Sequence, residues 1–506
     1  MLGYIDTKHS MKKNFSSFLS HNKILSILIV LGIFFRARHY FAGRSLWLDE
    51  AMLALDVLDL SFKELTQQPL PYQQGAPIGF LFSVKVTTIL FGDSEYVFRL
   101  YSFGVSLLAL FLMAFLARRY LGKMGMLFTL ALFVSNPHLI YYSAETKQYM
   151  GDVAVSLLIF FLFSRQLDQK ISSRRFAFFI FLNSLLIWFS HPAVFSIAAV
   201  GIILVIYYAQ EKNKKAFFFA LLNLILSGIS AVLLYFFHLC PLSASKFLNN
   251  FWQDSFVPIP PNMQWFLHNW ESLLENPLGL EAFPLLVFIL LIGGMFFSWR
   301  HTRIFTSSLL LTLFFVFCAG VLQKYPLAER MLLFATPIFI FFLGAGIEAL
   351  YSLIKEKRLA FFLTLFVAIY ILYAPVGESF LRFKSPLYRE HIRPSMAYIK
   401  EHFREGDLLY VYYYAEPAFL FYQPKYHLEN IAYTSGSAHT ENPDEYLREV
   451  DKLRSGRVWF LFTHVREVAS INEEDFIINY LNQNAEKERE YRVPGTSVSL
   501  YLYELP

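Results

Sequence analysis

The stretch PIGFLFSVKVTTILFG, residues 77–92, decides how this chain lies in a membrane. It is apolar enough to enter a bilayer, but a spanning helix takes about 20 residues, with a range of roughly 17–25. Lys85 stands at its centre, where a charge is expensive in lipid. Read as a span, the stretch inverts every loop that follows it. Read as an interfacial helix, it leaves eleven other spans, near 24–41, 98–117, 124–140, 149–164, 176–190, 193–208, 216–239, 283–298, 304–322, 331–352 and 359–375.

Basic residues choose between the two readings. With 77–92 at the interface, the inside loops 1–23, 118–123, 165–175, 209–215, 299–303 and 353–358 carry 19 Lys/Arg. The outside segments 42–97, 141–148, 191–192, 240–282 and 323–330 carry 7. Cytoplasmic loops are the basic ones, so the N-terminus is expected inside and the C-terminal tail outside. A twelfth span at 77–92 would remove most of this bias. The first span lacks an A-x-A cleavage site and reads as a retained helix, with Arg36 and Arg38 snorkelling at its outer end.

Composition agrees. The 506 residues would suffice for three or four ordinary domains, but 56% are hydrophobic and only 16% charged, against about 25% charged in soluble proteins. The aromatics, 56 Phe, 30 Tyr and 7 Trp, are too many for one aqueous core. The net charge of +5 follows membrane topology and gives no sign of nucleic acid. Two cysteines, Cys240 and Cys318, exclude a disulfide framework and a cysteine metal site. Positions 1–375 hold 48 charged residues, and the 131 that follow hold 35. The expected organisation is a polytopic α-helical membrane domain, 1–375, with a water-facing α/β domain, 376–506. In the tail, 393–399 reads as helix, and 406–412, 458–462 and 498–503 as strands.

This topology gathers the unusual polar residues on the outer face. The first outer loop, 42–97, carries Trp47, Asp49 and Glu50, and the second turn carries Glu145, Lys147 and, at its end, Tyr149. His191 lies in the third turn, and Lys324, Glu329 and Arg330 lie in the last short one. The long outer loop 240–282, with Trp252, Trp265 and Trp270, is placed to cover them.

On these residues the chain resembles the dolichyl-phosphate-mannose protein mannosyltransferase-like family of GT-C glycosyltransferases, which includes bacterial aminoarabinose and galacturonic-acid transferases. Ser45-Leu46-Trp47-Leu48-Asp49-Glu50-Ala51 is similar to its W-x-DE-A first-loop motif. Pro77-Ile78-Gly79 opens a juxtamembrane helix, and Glu95, Arg99, Leu100 and Ser102 open the second span. Residues 142–149 resemble a YS-x-E-x-R-x-Y turn with Lys147 in place of Arg. Tyr325-Pro326, Glu329-Arg330-Met331 and Pro337 resemble a late ERY…P element with Met331 in place of Tyr.

The resemblance implies a bacterial inner-membrane enzyme that moves a sugar with inversion. The donor is a polyprenyl-phosphate-linked sugar, and the acceptor a glycan, lipid or protein hydroxyl on the non-cytoplasmic face. Sugar departure from phosphate passes through an oxocarbenium-like state, the acceptor must lose a proton to a carboxylate, and the leaving phosphate needs preorganised cations. Asp49 is then the general base, with Glu50 as neighbour or second acid. Both also suit an ordinary helix N-terminus. Arg330 and Lys147 are donor-phosphate candidates. The alternatives are a pairing of Arg330 with Glu329 and a plain turn around Glu145 and Lys147. Lys85 faces donor phosphate or a lipid headgroup. Trp47, Glu145, Tyr149 and His191 are substrate-contact candidates, and Glu95 with Arg99 reads as an i,i+4 helix pair. No cofactor or metal is expected to be required. A divalent ion beside Asp49 and Glu50 stays open, since hard cations take more oxygens than these two supply. The competing classes are a secondary transporter with a periplasmic domain and a polysaccharide ligase with a diphosphate-linked donor. Transporters hold their polar sites near the midplane on broken, repeated helices, a pattern this sequence lacks.

Overall fold

A computed structural model describes residues 23–67, 69–168, 172–439, 442–453, 455–468 and 471–506. Of the basic N-terminal segment counted as inside, all but Lys23 lies outside the described residues, as does Lys170 of the loop 165–175.

A helix forms at each of the eleven expected spans: Lys23–Tyr40, Glu95–Tyr120, Lys123–Ser135, Tyr149–Asp168, Ser173–Leu186, Ala193–Gln210, Lys214–Leu234, Pro284–His301, Arg303–Val321, Thr336–Leu353 and Lys357–Lys384. Among the described residues, eight helical stretches are long and apolar enough to cross a bilayer. Those at Lys23–Tyr40, Lys123–Ser135 and Ser173–Leu186 are not among them. The helix Lys357–Lys384 continues past 375, through Pro375, and leaves Phe362, Phe366, Ile369 and Tyr373 on an outward apolar face. Such a face suits lipid.

The deciding stretch forms the helix Ile78–Phe91, 14 residues long. At about 1.5 Å per residue it covers roughly 21 Å, short of a hydrocarbon core of about 30 Å. It buries Gly79, Phe80, Leu81 and Val84 beside Leu48–Asp59 and Glu95–Tyr120. At Gly79 the approach is close: an added Cβ would lie 2.6 Å from the Phe189 ring.

One helix break positions the site. Pro137 has no N–H, so the carbonyl of Phe133 loses its helical donor. Arg36, fully buried, supplies one instead, at 3.3 Å, and its other arm bonds the Gly32 carbonyl at 3.1 Å. The expected snorkelling of Arg36 is therefore corrected, since the orphaned carbonyl gives its charge a buried partner. Asn136 caps the next turn by accepting from Leu139 N, 2.8 Å, and its amide donates to the Pro277 and Leu278 carbonyls. Ser379 donates to the freed Ser135 carbonyl at 2.6 Å. These bonds fix the short helix Pro137–Tyr142, from which the turn 143–148 departs.

The tail contains a five-stranded sheet in the order β2-β1-β3-β7-β6. The strands are β1 (Leu408–Val411), β2 (Tyr433–Ser435), β3 (Gly456–Phe462), β6 (Glu486–Arg492) and β7 (Ser499–Leu505). A short hairpin, β4 (Glu467–Val468) with β5 (Ile471–Asn472), stands apart from it. Strands β2, β1 and β3 are parallel, and β7 is antiparallel to β3 and β6. This sheet shares its hydrophobic core with the first outer loop: Leu46, Ala51, Leu53, Val57 and Phe80 join Met396, Phe419, Tyr422 and Phe462 in one cluster. The polar seams agree. Tyr422 accepts from Leu46 N and donates to Glu95, and Arg393 pairs with Glu95 at 3.3 Å.

Candidate active site

The site is assembled around a buried arginine on the helix Glu95–Tyr120. Arg99 grips Glu50 with Nε at 2.8 Å and Nη2 at 2.5 Å, and also donates to the Arg44 and Ser45 carbonyls. Glu50 is fully buried and accepts a third bond from Thr146 N at 2.7 Å. One carboxylate thus joins the first outer loop, the second span and the 143–148 turn. The expected Glu95–Arg99 pair is corrected, because Arg99 turns inward to Glu50 while Glu95 bonds the tail. Burial works against Glu50's charge, but the Arg99 guanidinium outweighs it and holds the carboxyl below its ordinary value.

With Glu50 turned inward, its neighbour Asp49 keeps its side chain one-fifth exposed. Arg330 Nη1 lies 3.4 Å from Asp49 Oδ2 and Lys147 Nζ lies 3.7 Å from it. Burial alone would raise the Asp49 carboxyl. Lys147 and Arg330, with His464 and Arg389 further out, overcome that and hold it below the usual carboxylate range. Burial pushes the Lys147 ammonium down, with Asp49 opposing. Lys147 also donates to Gln74. Arg330 lies over the Tyr149 and Trp252 rings, at 5.9 and 5.4 Å, so the long outer loop reaches the site through Trp252.

Trp47 and Glu145 form the wall behind. Trp47 Nε1 donates to Glu145 Oε1 at 2.6 Å, and Tyr141 donates to the same oxygen at 3.1 Å. Glu145 Oε2 is buried without a hydrogen-bond partner among the described residues. Burial, then repulsion from Glu50, raises this carboxyl. Arg389 lies 4.9 Å from both the Trp47 and the Tyr141 rings.

The structure therefore brings together Trp47, Asp49, Glu145, Lys147, Tyr149 and Arg330, with Glu50 directly beneath. Lys85 and His191 are elsewhere. The Lys85 ammonium caps the helix Leu48–Asp59 through the carbonyls of Val57, 2.8 Å, and Leu58, 3.2 Å. His191 packs 5.2 Å from His238, and burial followed by that neighbour pushes it down to about 3. Arg330 pairs with Asp49, a partner the sequence reading did not name. Gln74, Arg389, Glu390 and His464 were also missed, whereas Trp252, expected in the covering loop, does meet Arg330. The tail residues among them carried no motif, only their place after the last apolar run. Among the described residues no three of His, Cys, Asp and Glu converge as metal ligands do.

The fold is that of the GT-C glycosyltransferases. In particular, the chain is similar to ArnT, an aminoarabinose transferase, from Cupriavidus metallidurans bound to undecaprenyl phosphate. The TM-score is 0.52 at 13% identity, over 95% of this chain and 97% of that one. It is also similar to the oligosaccharyltransferase AglB from Archaeoglobus fulgidus, in complex with an inhibitory peptide and a dolichol-phosphate. There the TM-score is 0.53 at 11% identity, over 97% of this chain and 75% of that one. No protein-family model matches the sequence, and no curated protein matches it by sequence. At these identities it is the fold that is shared.

Proposed function

We propose that this chain is an inverting membrane glycosyltransferase that moves a sugar from a polyprenyl-phosphate donor to an acceptor hydroxyl on the non-cytoplasmic face. The observation that carries the reading is a loosely held carboxylate between two cations at the rim of a helical membrane fold. Asp49 takes the acceptor proton while the acceptor oxygen attacks C1 from the face opposite the phosphate. Arg330 and Lys147 receive the charge that develops on the leaving phosphate. Their spacing from Asp49, beyond ordinary charged hydrogen bonds of about 2.7–2.9 Å, leaves them free to turn toward an anion. Arg330 offers a planar fork and Lys147 a point charge. The structures of similar fold that hold undecaprenyl phosphate and dolichol-phosphate support a lipid-phosphate donor. In this reading the protein sits in a bacterial inner membrane, with domain 376–506 outside and covering the site.

The test uses purified protein in lipid with a panel of radiolabelled polyprenyl-phosphate sugars and an acceptor extract. Acceptor-dependent release of lipid monophosphate that Asp49→Asn abolishes is the expected result. Release of a diphosphate would move the chain to the ligase class. Neither binding nor turnover of any donor would return it to the transporter class.

A further inference from the structure

We propose that the long outer loop carries a subsite for the acceptor, a cavity that holds a saccharide unit between Trp265 and the side-chain amides of Gln253, Gln264 and Gln323. This rests on the transferase reading above and deepens it, since it selects a glycan among the acceptors that reading allows.

The cavity has a volume of about 380 Å³, within the roughly 300–1,000 Å³ of small-ligand sites. It lies beside the Asp49 cluster. Trp252 sits over Arg330 at 5.4 Å, and the next two residues, Gln253 and Asp254, already line the cavity. Leu327 N donates to the Ser255 carbonyl at 2.8 Å, which ties this wall to the segment that carries Arg330. From the cavity the path to Asp49 runs past Trp252 and Arg330, over contacts of 5.4 and 3.4 Å.

Two helices supply the lining. On the helix Met263–Leu273, Phe266 and Trp270 are four residues apart and meet Phe317 and Phe288 of two spans, at 6.3 and 5.8 Å. Gln264 and His268 lie on the other side, roughly 200° round a helix of 3.6 residues per turn, and line the cavity. Trp265 is fixed twice. Its backbone N–H donates to the Asn262 side chain at 2.7 Å, and its Nε1 donates to the Asp254 carbonyl at 3.3 Å. Gln323 follows the end of the helix Arg303–Val321. Gln323 N donates to the Gly320 carbonyl at 3.1 Å and Lys324 N to the Ala319 carbonyl at 2.9 Å, a closure whose left-handed residue is usually glycine. Here that residue is Gln323, with φ +54, and its side chain lines the cavity. A long amide stands where glycine would be free of strain, which asks for a local reason.

These groups suit a sugar. A pyranose presents a face of C–H groups that packs on an indole, and hydroxyls that donate and accept at once. A primary amide offers both functions from one plane. Among the described residues the Gln253, Gln264 and Gln323 side chains make no hydrogen bond, so all three are available. The described lining holds no Lys or Arg, the residues that bind phosphate, and its one carboxylate, Asp254, disfavours an anion. The lipid phosphate belongs with Arg330 and Lys147, and a neutral, hydroxyl-rich partner belongs here.

The test reads acceptor and donor separately, in full-length protein held in lipid. Gln323→Gly removes one amide at a position whose backbone glycine adopts without strain. Trp265→Ala removes the aromatic wall, and thermal unfolding is followed for both. In transfer from a radiolabelled polyprenyl-phosphate sugar, each variant should raise the acceptor KM about tenfold, as the loss of a hydrogen bond or two would. The donor KM and the kcat at saturating acceptor stay unchanged, as does the melting of Gln323→Gly. Protease treatment of the acceptor extract leaves transfer intact, and mild periodate, which cleaves vicinal diols, removes it. An unchanged acceptor KM in Gln323→Gly, a raised donor KM in its place, or an extract inactivated by protease would each overturn the subsite and leave the transferase reading standing. Equilibrium dialysis against labelled oligosaccharides, released from the same extract by mild acid, needs no turnover. Wild type should bind them saturably, and Gln323→Gly about tenfold less tightly. A wild type that binds none overturns the subsite. One that binds them yet turns over no donor overturns the transferase reading and leaves the cavity a saccharide site.

Discussion

Two ion clusters are built on consecutive residues, and they differ in almost every physical respect. Glu50 is fully buried, gripped by Arg99 at 2.5 and 2.8 Å and bonded by Thr146 N at 2.7 Å. Asp49 is one-fifth exposed, with its cations at 3.4 and 3.7 Å. The first cluster has little capacity left for a ligand, and the second has cations that can be drawn away. Saturation marks the joint of the architecture, and looseness marks the place where chemistry can enter.

The largest effect is expected from breaking the tight cluster. Arg99→Ala leaves Glu50 buried without its cation, a change that costs about 3–5 kcal/mol, and should give a protein that unfolds early in a thermal scan in detergent. Next comes Asp49→Asn, which should lower transfer by roughly 10²–10⁴-fold while undecaprenyl phosphate binds at least as tightly as before, since Lys147 and Arg330 lose a competing anion. Weaker binding in that variant would mean Asp49 positions the cations rather than competing for them. Arg330→Lys replaces a fork by a point charge and should weaken lipid-phosphate binding by about tenfold, or about 1.4 kcal/mol.

A pH titration sharpens the loose cluster further. Burial depresses the Lys147 ammonium, so its charge is present below the lowered value and is lost as pH rises through it, before the ordinary lysine range. Binding of lipid phosphate should therefore fall on the alkaline side, and Lys147→Arg should move that fall upward. An unmoved alkaline limb would remove Lys147 from phosphate binding. The smallest effect is expected at Ser379→Ala, which removes one hydrogen bond to the freed Ser135 carbonyl at about 1 kcal/mol, measured as a shift in unfolding temperature.

Much of the architecture was legible because membranes impose one-dimensional rules. Apolar length found a helix at each of the eleven expected spans, and the 77–92 stretch forms a helix of its own. The unusual polar residues of one face were read together, and the structure does join Asp49, Lys147 and Arg330. What stayed hidden were pairings across long chain separations. Arg99 looked like a partner for Glu95 four residues away, but it reaches Glu50 in the preceding loop. Lys85 looked free for phosphate, but carbonyls at a helix end claim it. Arg36 looked like a snorkelling residue because the carbonyl it serves, 97 positions away, is orphaned by a proline that no local pattern around Arg36 reveals. Local pattern carries no record of such debts, and Glu390 and His464 were invisible for the same reason.

The common core of the first loop and the tail also bears on how such chains can be recombined. Leu46, Val57 and Phe80 pack with Phe419, Tyr422 and Phe462, so grafting another chain's tail onto these helices would set foreign side chains against a native half-core. A working chimaera would have to exchange residues 44–98 and the tail as one cassette, with the break point drawn through the membrane helices rather than at the visible seam between apolar and charged sequence.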